Sequence, residues 1–542
     1  MKIALGFSGG GFRASAFSLG LLSYLNKLTL LKNISVLSTV SGGTITGARF
    51  TTGMKKGECF IDIYESLYAF MRDVKLVDFG LERLANAKHW NSGRIHSLIN
   101  ALADVYDEQL FGRDKFGILF SEETDTLSHM SFNATEFSHA LQFRFQWSEK
   151  VSQPQKDEPE RGIIGNHYHR IPEKIAAEVR MGDIVAASSC FPGGFEPINF
   201  PTDFVFPSNL NVTDELGTPL YPVGLMDGGI VDNQGIEPIL LAESRMKRNR
   251  AIDKPLEPQD GNVLDLIILS DVSSPYMEKY SVSHQKARNW WRMLTPAVIF
   301  SLNGILFLLS FSFLVMELYW KNVYLAALLS CLCTIEIGIF LLSKVLRSLP
   351  QKLHVPMSFN KPLKNLLKLK LAVYESLILN RSNSVLKMIN DVFLKHVRRL
   401  NYQKIYHDPS WKNRVIMSAI YELKAGEAKL AEKFSKYSIP EEFKPSTLIH
   451  ETAKKASDMG TTLWFTQKEL QADQLLDVVI ACGQFSICWN LLEYIYRIKA
   501  DNSNTGAAHN QILALEAEIV DHWRRFNVDP FWMVRGDGKS NV

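Results

Sequence analysis

Residues 2–13 read KIALGFSGGGFR, an apolar run followed by a serine and three glycines. The apolar run predicts a short buried strand, and the glycines predict a tight turn. Leucine and phenylalanine side chains then recur at helical spacing as far as residue 31. This stretch therefore predicts a strand, a glycine turn and a helix in succession.

The same order of elements recurs at once. Residues 34–40 (ISVLSTV) are apolar and β-branched, and they lead through Ser41, Gly42 and Gly43 into a helical pattern over residues 44–54. Consecutive strand-turn-helix units favour a parallel sheet covered by helices, with functional loops at the carboxyl ends of the strands. We therefore expect an α/β fold in which both glycine turns lie at one edge of the sheet.

The rest of the chain extends this outline. Further strand patterns occur at residues 130–136, 140–146 and 263–271. Helical patterns occur at residues 364–400, 411–436 and 470–498. A polar segment at 150–172 contains proline and glycine and predicts a mobile loop. We expect three parts, an α/β domain at 1–290, a helical hairpin at 291–348 and a helical region at 349–542 that packs on the first.

The composition excludes several classes of protein. With 46% hydrophobic and 22% charged residues among 542, the chain is neither disordered nor collagen-like. Its 60 basic and 57 acidic residues are interspersed, so no basic patch indicates nucleic-acid binding. Six cysteines without paired CxxC motifs suit a reducing compartment. The N-terminal residues lack the pattern of a signal peptide, and we expect residues 1–290 not to be exported.

Two apolar runs differ from the average composition of the chain. Residues 297–316 and 323–342 each have the length that crosses a bilayer as a helix, and aromatic residues flank them. They predict a transmembrane hairpin with its turn at 317–322, although a hairpin buried in a soluble core is the alternative. Glu336 is costly to bury in lipid, so we expect it to face the other helix, another subunit or a polar group such as Asn303.

The charges around the hairpin predict its orientation. Lys286, Arg288 and Arg292 precede it and three further basic residues follow it, whereas the turn carries one lysine and one glutamate. The positive-inside rule then places both flanking regions in the cytoplasm. We expect a multi-pass membrane protein with its α/β domain on the cytoplasmic side.

Ser41 has the position of a nucleophile. It lies between a predicted strand and a predicted helix, with small neighbours that permit the sharp turn of a nucleophile elbow. Gly43 matches the second glycine of the GxSxG pattern, but Thr39 replaces the first. The motif alone also fits an ordinary serine-glycine turn.

The first glycine turn provides backbone donors. Gly9, Gly10 and Gly11 precede a helix, where amides converge and the helix dipole favours negative charge, as an oxyanion hole requires. The same residues satisfy GxGxxG/A of a dinucleotide loop. That alternative needs an acidic residue at the end of the next strand, and Ser41 stands there instead.

The third motif supplies a base. Asp227 precedes Gly228 and another glycine, which places a carboxylate on an open turn. A carboxylate that is hydrogen-bonded to a serine can accept its proton in a dry site with a well-held oxyanion. Ser41 and Asp227 would then form a two-residue catalytic unit.

Together these motifs resemble the patatin-like phospholipases. SGGGFRA at 8–14, TVSGG at 39–43 and DGG at 227–229 are similar to that family's glycine loop, serine motif and aspartate motif, in the same order. The stretch ASSCFPGGF at 187–195 is similar to the family's segment between serine and aspartate. The resemblance covers roughly residues 1–275 and departs at Thr39 and Ala14.

The resemblance implies a three-layer α/β/α sandwich and a Ser-Asp dyad that hydrolyses phospholipid esters without a metal or other cofactor. It assigns Ser41 as nucleophile, Asp227 as base and Gly9–Gly11 as the oxyanion hole. Such an enzyme needs control by a partner, by homo-oligomerisation or by a signal, as in patatin-like effectors of bacterial antiviral defence. The alternative is a membrane-bound scaffold or signalling module that binds lipid or a partner without turnover.

The remaining candidates have weaker motifs. Arg13 either steadies the oxyanion loop, meets a lipid phosphate or pairs with a carboxylate. Asp232 and Asn233 follow the base and equally fit ordinary turn chemistry. His167 and His169 form an HxH pair in a polar loop, which is more typical of solvated surface than of a metal site.

Overall fold

The computed structural model describes residues 1–86, 93–120, 127–150, 161–214, 217–253, 263–273, 290–320, 323–352, 369–424, 428–501 and 507–535. The chain separates into two compact units, one formed by Met1–Met277 with Asn390–Val542 and the other by Glu278–Ile389.

The first unit is built on one mixed sheet of eight strands. They are β1 (Ile3–Phe7), β2 (Ile34–Val40), β3 (His129–Glu136), β4 (Leu141–Ser148), β5 (Ile198–Phe200), β6 (Val223–Asp227), β7 (Leu266–Asp271) and β8 (Val415–Ala419). Their order is β5-β6-β3-β2-β1-β7-β8, and β4 pairs with β3. Strands β3, β2, β1, β7 and β8 are parallel, as expected, whereas β4, β5 and β6 run antiparallel to their partners. The prediction of a parallel sheet was therefore correct for five strands and wrong for β4, β5 and β6.

Helices cover both faces of this sheet. They are α1 (Gly11–Lys27), α2 (Gly42–Lys55), α3 (Phe60–Asp73), α4 (Leu76–Ala85), α5 (Leu98–Tyr106), α6 (Glu173–Ala176), α7 (Met181–Ser188), α8 (Gly229–Asp232) and α9 (Ile236–Asp253). Side chains of β1 alternate between two cores, since Ile3, Leu5 and Phe7 join the larger cluster and Ala4 joins the cluster under α9. The fold is thus consistent with the expected α/β/α sandwich.

The C-terminal part is largely helical. Its helices in the first unit are α13 (Leu394–Tyr406), α14 (Ala428–Tyr437), α15 (Thr447–Asp458), α16 (Gln467–Gln471), α17 (Leu475–Ala500), α18 (Ala507–Ala514), α19 (Glu516–Val528) and α20 (Trp532–Arg535). The helix predicted over 411–436 was wrong at 415–419, because this short apolar run completes the sheet as β8 beside β7. Helix α17 crosses α1 where glycines meet, and a methyl group at Gly20 would lie 2.1 Å from the Ile480 carbonyl.

The second unit contains three long helices, α10 (Pro296–Trp320), α11 (Val323–Lys352) and α12 (Leu371–Lys387). Helices α10 and α11 correspond to the two predicted apolar runs, but α10 continues through most of the predicted turn and α11 continues to Lys352. The Asn303 side chain donates to the Glu336 carbonyl at 3.2 Å, and the Ser310 hydroxyl donates to the Glu336 carboxylate at 3.4 Å. Glu336 thus faces the neighbouring helix, as one of the expectations had it.

Some expectations fall where no structure is described. Lys286 and Arg288 lie outside the described residues, as do residues 364–368 of a predicted helix. Residues 151–160 of the predicted mobile loop also lie outside them.

Candidate active site

The two glycine turns lie side by side at one edge of the sheet. Strands β1 and β2 are parallel neighbours, with Phe7 opposite Thr39, so the turns that follow them are adjacent. A methyl group built on Gly9 would lie 3.1 Å from Ser41 Cβ. The sheet therefore brings the predicted oxyanion loop against the predicted nucleophile.

Ser41 occupies a backbone conformation that side chains rarely adopt. Its φ of 53° and ψ of −123° lie outside the regions favoured by L-residues, and its side chain is 7% exposed. Such strain persists only where surrounding contacts impose it, and it is typical of nucleophile elbows. Gly42 and Gly43 allow the close approach, because methyl groups there would lie 2.0 Å from the Gly11 carbonyl and 2.7 Å from the Phe7 carbonyl.

Ser188, at the end of α7, holds this elbow. Its hydroxyl accepts the Ser41 N–H at 2.9 Å and donates to the Asn133 carbonyl at 2.7 Å, and it lies 2.8 Å from the Thr44 hydroxyl. The Asn133 side chain in turn donates to the Thr39 carbonyl at 2.9 Å. This buried network fixes the strained backbone from the side opposite the glycine loop.

Thr39 is accommodated where the serine motif usually has glycine. Its hydroxyl donates to the Thr44 hydroxyl at 3.0 Å, and its methyl group lies over Gly47 in α2. A methyl group added at Gly47 would lie only 2.3 Å from Thr39 Cγ2. The Thr39 side chain thus fits in place of the usual glycine because Gly47, about one turn into the following helix, leaves room for its methyl group.

Asp227 reaches Ser41 because two strands meet end to end. Asn133 of β3 pairs with Val40 of β2, and the next residue, Ala134, pairs with Asp227 of β6. Strand β4 pairs along one edge of β3. Strands β2 and β6 therefore both pair with the opposite edge of β3, one after the other, and their ends face each other. The last residue of β6 therefore lies beside the residue that follows β2.

The Asp227 carboxylate is buried next to Ser41. Asp227 is 5% exposed, and its Oδ1 accepts the Gly229 N–H at 2.7 Å. Burial raises its pKa to about 6, while the bonds from Ser41 and Gly229 oppose that rise. Gly228 permits this turn, since a methyl group there would lie 2.3 Å from the Asn133 carbonyl.

The glycine loop presents two donors rather than three. The Gly9 N–H donates to the Asn233 carbonyl at 3.1 Å. Gly10 and Gly11 have φ angles of 146° and 60°, and in the described part of the chain their N–H groups have no hydrogen-bond acceptor. The amides available to an oxyanion from this loop are therefore those of Gly10 and Gly11.

A C-terminal segment, residues 457–463, lies against the glycine loop. The Phe12 N–H donates to the Thr462 carbonyl at 2.8 Å. The Arg13 guanidinium donates to the Met459 carbonyl, and to the carbonyls of Ser457 at 3.4 Å and Val272 at 3.1 Å. Arg13 thus anchors the loop to backbone carbonyls, and burial lowers its pKa to about 10 although the Asp271 carboxylate opposes the shift.

Sequence reasoning did not foresee three of these contacts. Asn133 and Thr462 carry no motif, and Ser188 lies in a small-residue stretch that was noticed only for its resemblance. Asp232 instead caps α9, since its carboxylate accepts the Glu237 N–H at 2.8 Å. Asn233 lies at the site, where its Oδ1 would be 2.5 Å from a methyl group on Gly9.

Residues 5–240 match the family model described as patatin-like phospholipase. No curated protein matches the chain. A similar solved structure is human GIVD cytosolic phospholipase A2, with a TM-score of 0.29 and 14% identity over 51% of this chain and 43% of that chain.

A second solved structure is that human phospholipase in complex with methyl gamma-linolenyl fluorophosphonate inhibitor and terbium chloride. It has a TM-score of 0.28 and 19% identity over 51% of this chain and 41% of that chain. This chain spans less than half the length of either structure. The family match, which covers the glycine loop, the serine turn and the aspartate turn, therefore identifies a patatin-like phospholipase domain at residues 5–240.

Proposed function

We propose that this protein is a serine lipid acyl hydrolase of the phospholipase A or lysophospholipase type, acting on membrane phospholipids. The observation that carries the proposal is the juxtaposition of Ser41, held on a strained elbow, with the buried carboxylate of Asp227, the last residue of the strand that meets β2 end to end. The free amides of Gly10 and Gly11 beside that serine support it. The family match over the same residues is consistent with lipid hydrolysis.

The proposed reaction passes through an acyl-serine. Ser41 Oγ attacks the ester carbonyl carbon while its proton passes to Asp227, and the Gly10 and Gly11 amides stabilise the oxyanion. Collapse of this intermediate breaks the ester C–O bond, and Asp227 returns the proton to the leaving alcohol. Water then attacks the acyl-serine, Asp227 accepts its proton, and the fatty acid leaves as Ser41 recovers the proton.

The raised pKa of Asp227 suits this role. An ordinary aspartate is a weak base, and general bases work best with a pKa close to the working pH. Burial brings the pKa of Asp227 to about 6, so the carboxylate is still mostly ionised at neutral pH. No histidine is required in this proposal.

We also propose that α10 and α11 form a transmembrane hairpin. Among the described residues, three helices are long and apolar enough to cross a bilayer. The apolar windows of Pro296–Met316 and Val323–Leu341 have mean hydropathies of 2.3 and 2.1 and are 0% and 12% buried. The third helix, Leu475–Ala500, is 94% buried and packs on α1, so it belongs to the core of the first unit. Exposed apolar surface of this extent favours lipid around the hairpin.

The topology is tested with reporters. We propose that both flanks of the hairpin lie in the cytoplasm of a bacterial cell, as the basic residues around it favour. An alkaline phosphatase fusion at position 320 should be active, whereas one at the C-terminus should be inactive and a fluorescent protein there bright. Equal behaviour at both positions would contradict a two-span hairpin.

Turnover is tested with full-length protein in mixed phospholipid vesicles. Wild-type protein should release free fatty acid and should bind a fluorophosphonate probe at Ser41, where the hydroxyl oxygen displaces fluoride from phosphorus. Ser41→Ala should do neither, while Ser410→Ala, an exposed serine in the segment before β8, should do both. Probe labelling and lipid release that are unchanged in Ser41→Ala would contradict the proposal.

The second candidate function is a scaffold that binds lipid or a partner without turnover. It predicts vesicle binding without fatty-acid release by any variant. The strained Ser41 backbone argues against it, because strain of this kind persists where it serves a function. If turnover is found only in cells that carry a stimulus, the proposed control by a partner, a homo-oligomer or an antiviral signal gains support.

A further inference from the structure

A carboxylate and two imidazoles meet at the end of β3, apart from the groups assigned to hydrolysis. Glu136 ends β3, His139 lies in the turn to β4, and His169 comes from the 164–171 loop. The ligand atoms of these three side chains all lie within 4.8 Å of one another. The Glu136 and His139 atoms are already 3.0 Å apart.

The backbone fixes His169 in this position. Arg144 of β4 and Gly165 exchange a pair of backbone hydrogen bonds of 2.9 and 2.8 Å, which ties the loop to the sheet. The Asn166 carboxamide oxygen then accepts the His169 N–H at 2.8 Å, and the Asn166 N–H donates to the His169 carbonyl at 3.0 Å. The imidazole is therefore presented by a closed turn on the sheet.

Glu136 is a buried carboxylate whose ion-pair partner in the described part of the chain is the His139 imidazole. Its side chain is 0% exposed, and in the described ranges no lysine or arginine forms an ion pair with it. Burial opposes its ionisation, yet hydrogen bonds from Ser138 and His139 hold its pKa below the ordinary value. A buried carboxylate of this kind is stabilised by a bound cation.

His169 provides a ligand atom without a partner. Its Nε2 atom is buried and has no hydrogen-bond partner among the residues that the structure describes. An imidazole nitrogen is the commonest metal ligand that protein side chains offer. The side chain of His139 is 40% exposed, so a metal can reach the cluster from solvent.

We propose that Glu136, His139 and His169 bind one zinc ion. Two histidines and a glutamate are a ligand set that zinc uses in proteins, with water completing the tetrahedron, whereas magnesium and calcium prefer oxygen ligands. The ion would connect the 164–171 loop to the β3–β4 hairpin. Ala134, two residues before Glu136, pairs with Asp227, so the ion would stiffen the strand that supports the base.

The test is a zinc titration of the full-length protein. Protein freed of metal with EDTA is titrated with zinc chloride against a chromophoric indicator, and calcium chloride is titrated in parallel. We expect one zinc per chain and at least about tenfold weaker binding for His139→Ala and for His169→Ala. His167→Ala removes an exposed histidine from the same loop and should bind as the wild type does.

A second measurement separates ligand loss from misfolding. In EDTA the histidine variants should melt at the wild-type temperature, and zinc should raise the melting temperature of wild type and His167→Ala only. The proposal is overturned by absence of stoichiometric zinc, by undiminished binding in both ligand variants, or by an equal loss in His167→Ala, which would indicate surface chelation. Tighter binding of calcium than zinc would also overturn it.

Discussion

Replacing Asp227 with asparagine should stop fatty-acid release while making the protein more stable. Asparagine keeps the shape and can still accept the Gly229 N–H, but it cannot accept a proton from Ser41. Loss of a general base lowers rates by about 10²–10⁴-fold. We expect that loss in kcat for vesicle hydrolysis, with the variant folded and still bound to vesicles.

The gain in stability follows from the raised pKa. The carboxyl group holds its proton up to about pH 6 in the folded chain and to about 3.8 when unfolded, so the unfolded state binds fewer protons between these values. Stability contributed by this group therefore falls as pH rises from about 4 to 6. Asparagine does not ionise, so it avoids the free-energy cost of ionising a buried carboxyl group. For a shift of about two pKa units this cost is at most about 3 kcal/mol at pH 7.

Two measurements check this prediction. The difference in unfolding free energy between Asp227→Asn and wild type should be small at pH 4 and should reach its largest value above pH 6. The kcat/KM of the wild type should fall about tenfold between its plateau and pH 5, because only the ionised carboxylate accepts the proton. A flat pH profile, or a variant that hydrolyses lipid at the wild-type rate, would show that Asp227 is not the base.

Gly10→Ala should cause the next largest loss. Gly10 has a φ of 146°, and a methyl group there would lie 2.4 Å from Val272 Cγ2, so the loop must move. Movement displaces the Gly10 and Gly11 amides from the developing oxyanion. Removal of one such donor costs about 10²–10³-fold in kcat.

Gly57→Ala is the matched control. Gly57 also has a positive φ, 73°, but a methyl group there would meet nothing within 4 Å. Gly57→Ala carries the cost of a left-handed backbone, about 1–2 kcal/mol, without a clash, and only Gly10→Ala should lose vesicle hydrolysis. If the two variants retain similar kcat, the oxyanion is held elsewhere.

Local patterns predicted the part of the site that local forces build. Strand β1, the glycine loop, β2 and Ser41 follow one another in the chain, and their periodicity and glycines determine how each segment folds. Parallel pairing of β1 with β2 then brings the two turns together. These features were accessible from residues 2–54 alone.

The remaining features depend on pairing between distant segments. Strand β6 meets β2 end to end only because β4 takes the other edge of β3, and no local pattern in residues 223–227 reveals an antiparallel partner. Strand β8 was predicted as helix because a run of five residues is too short to distinguish the 3.6-residue period of a helix from the two-residue period of a strand. Ser188 and Asn133 have no sequence feature that marks them, and only the tertiary fold brings them into contact with the backbone around Ser41.

The contact between the glycine loop and residues 457–463 bears on when this protein becomes active. The Phe12 amide and the Arg13 guanidinium find acceptors there, in a segment translated more than 400 residues after them. A nascent chain can already contain Ser41, Asp227 and both apolar runs. It still lacks the segment 457–463 that binds Phe12 and Arg13. The lipid hydrolysis proposed for this protein would accordingly begin only after residues 457–463 have been synthesised and have folded against the glycine loop.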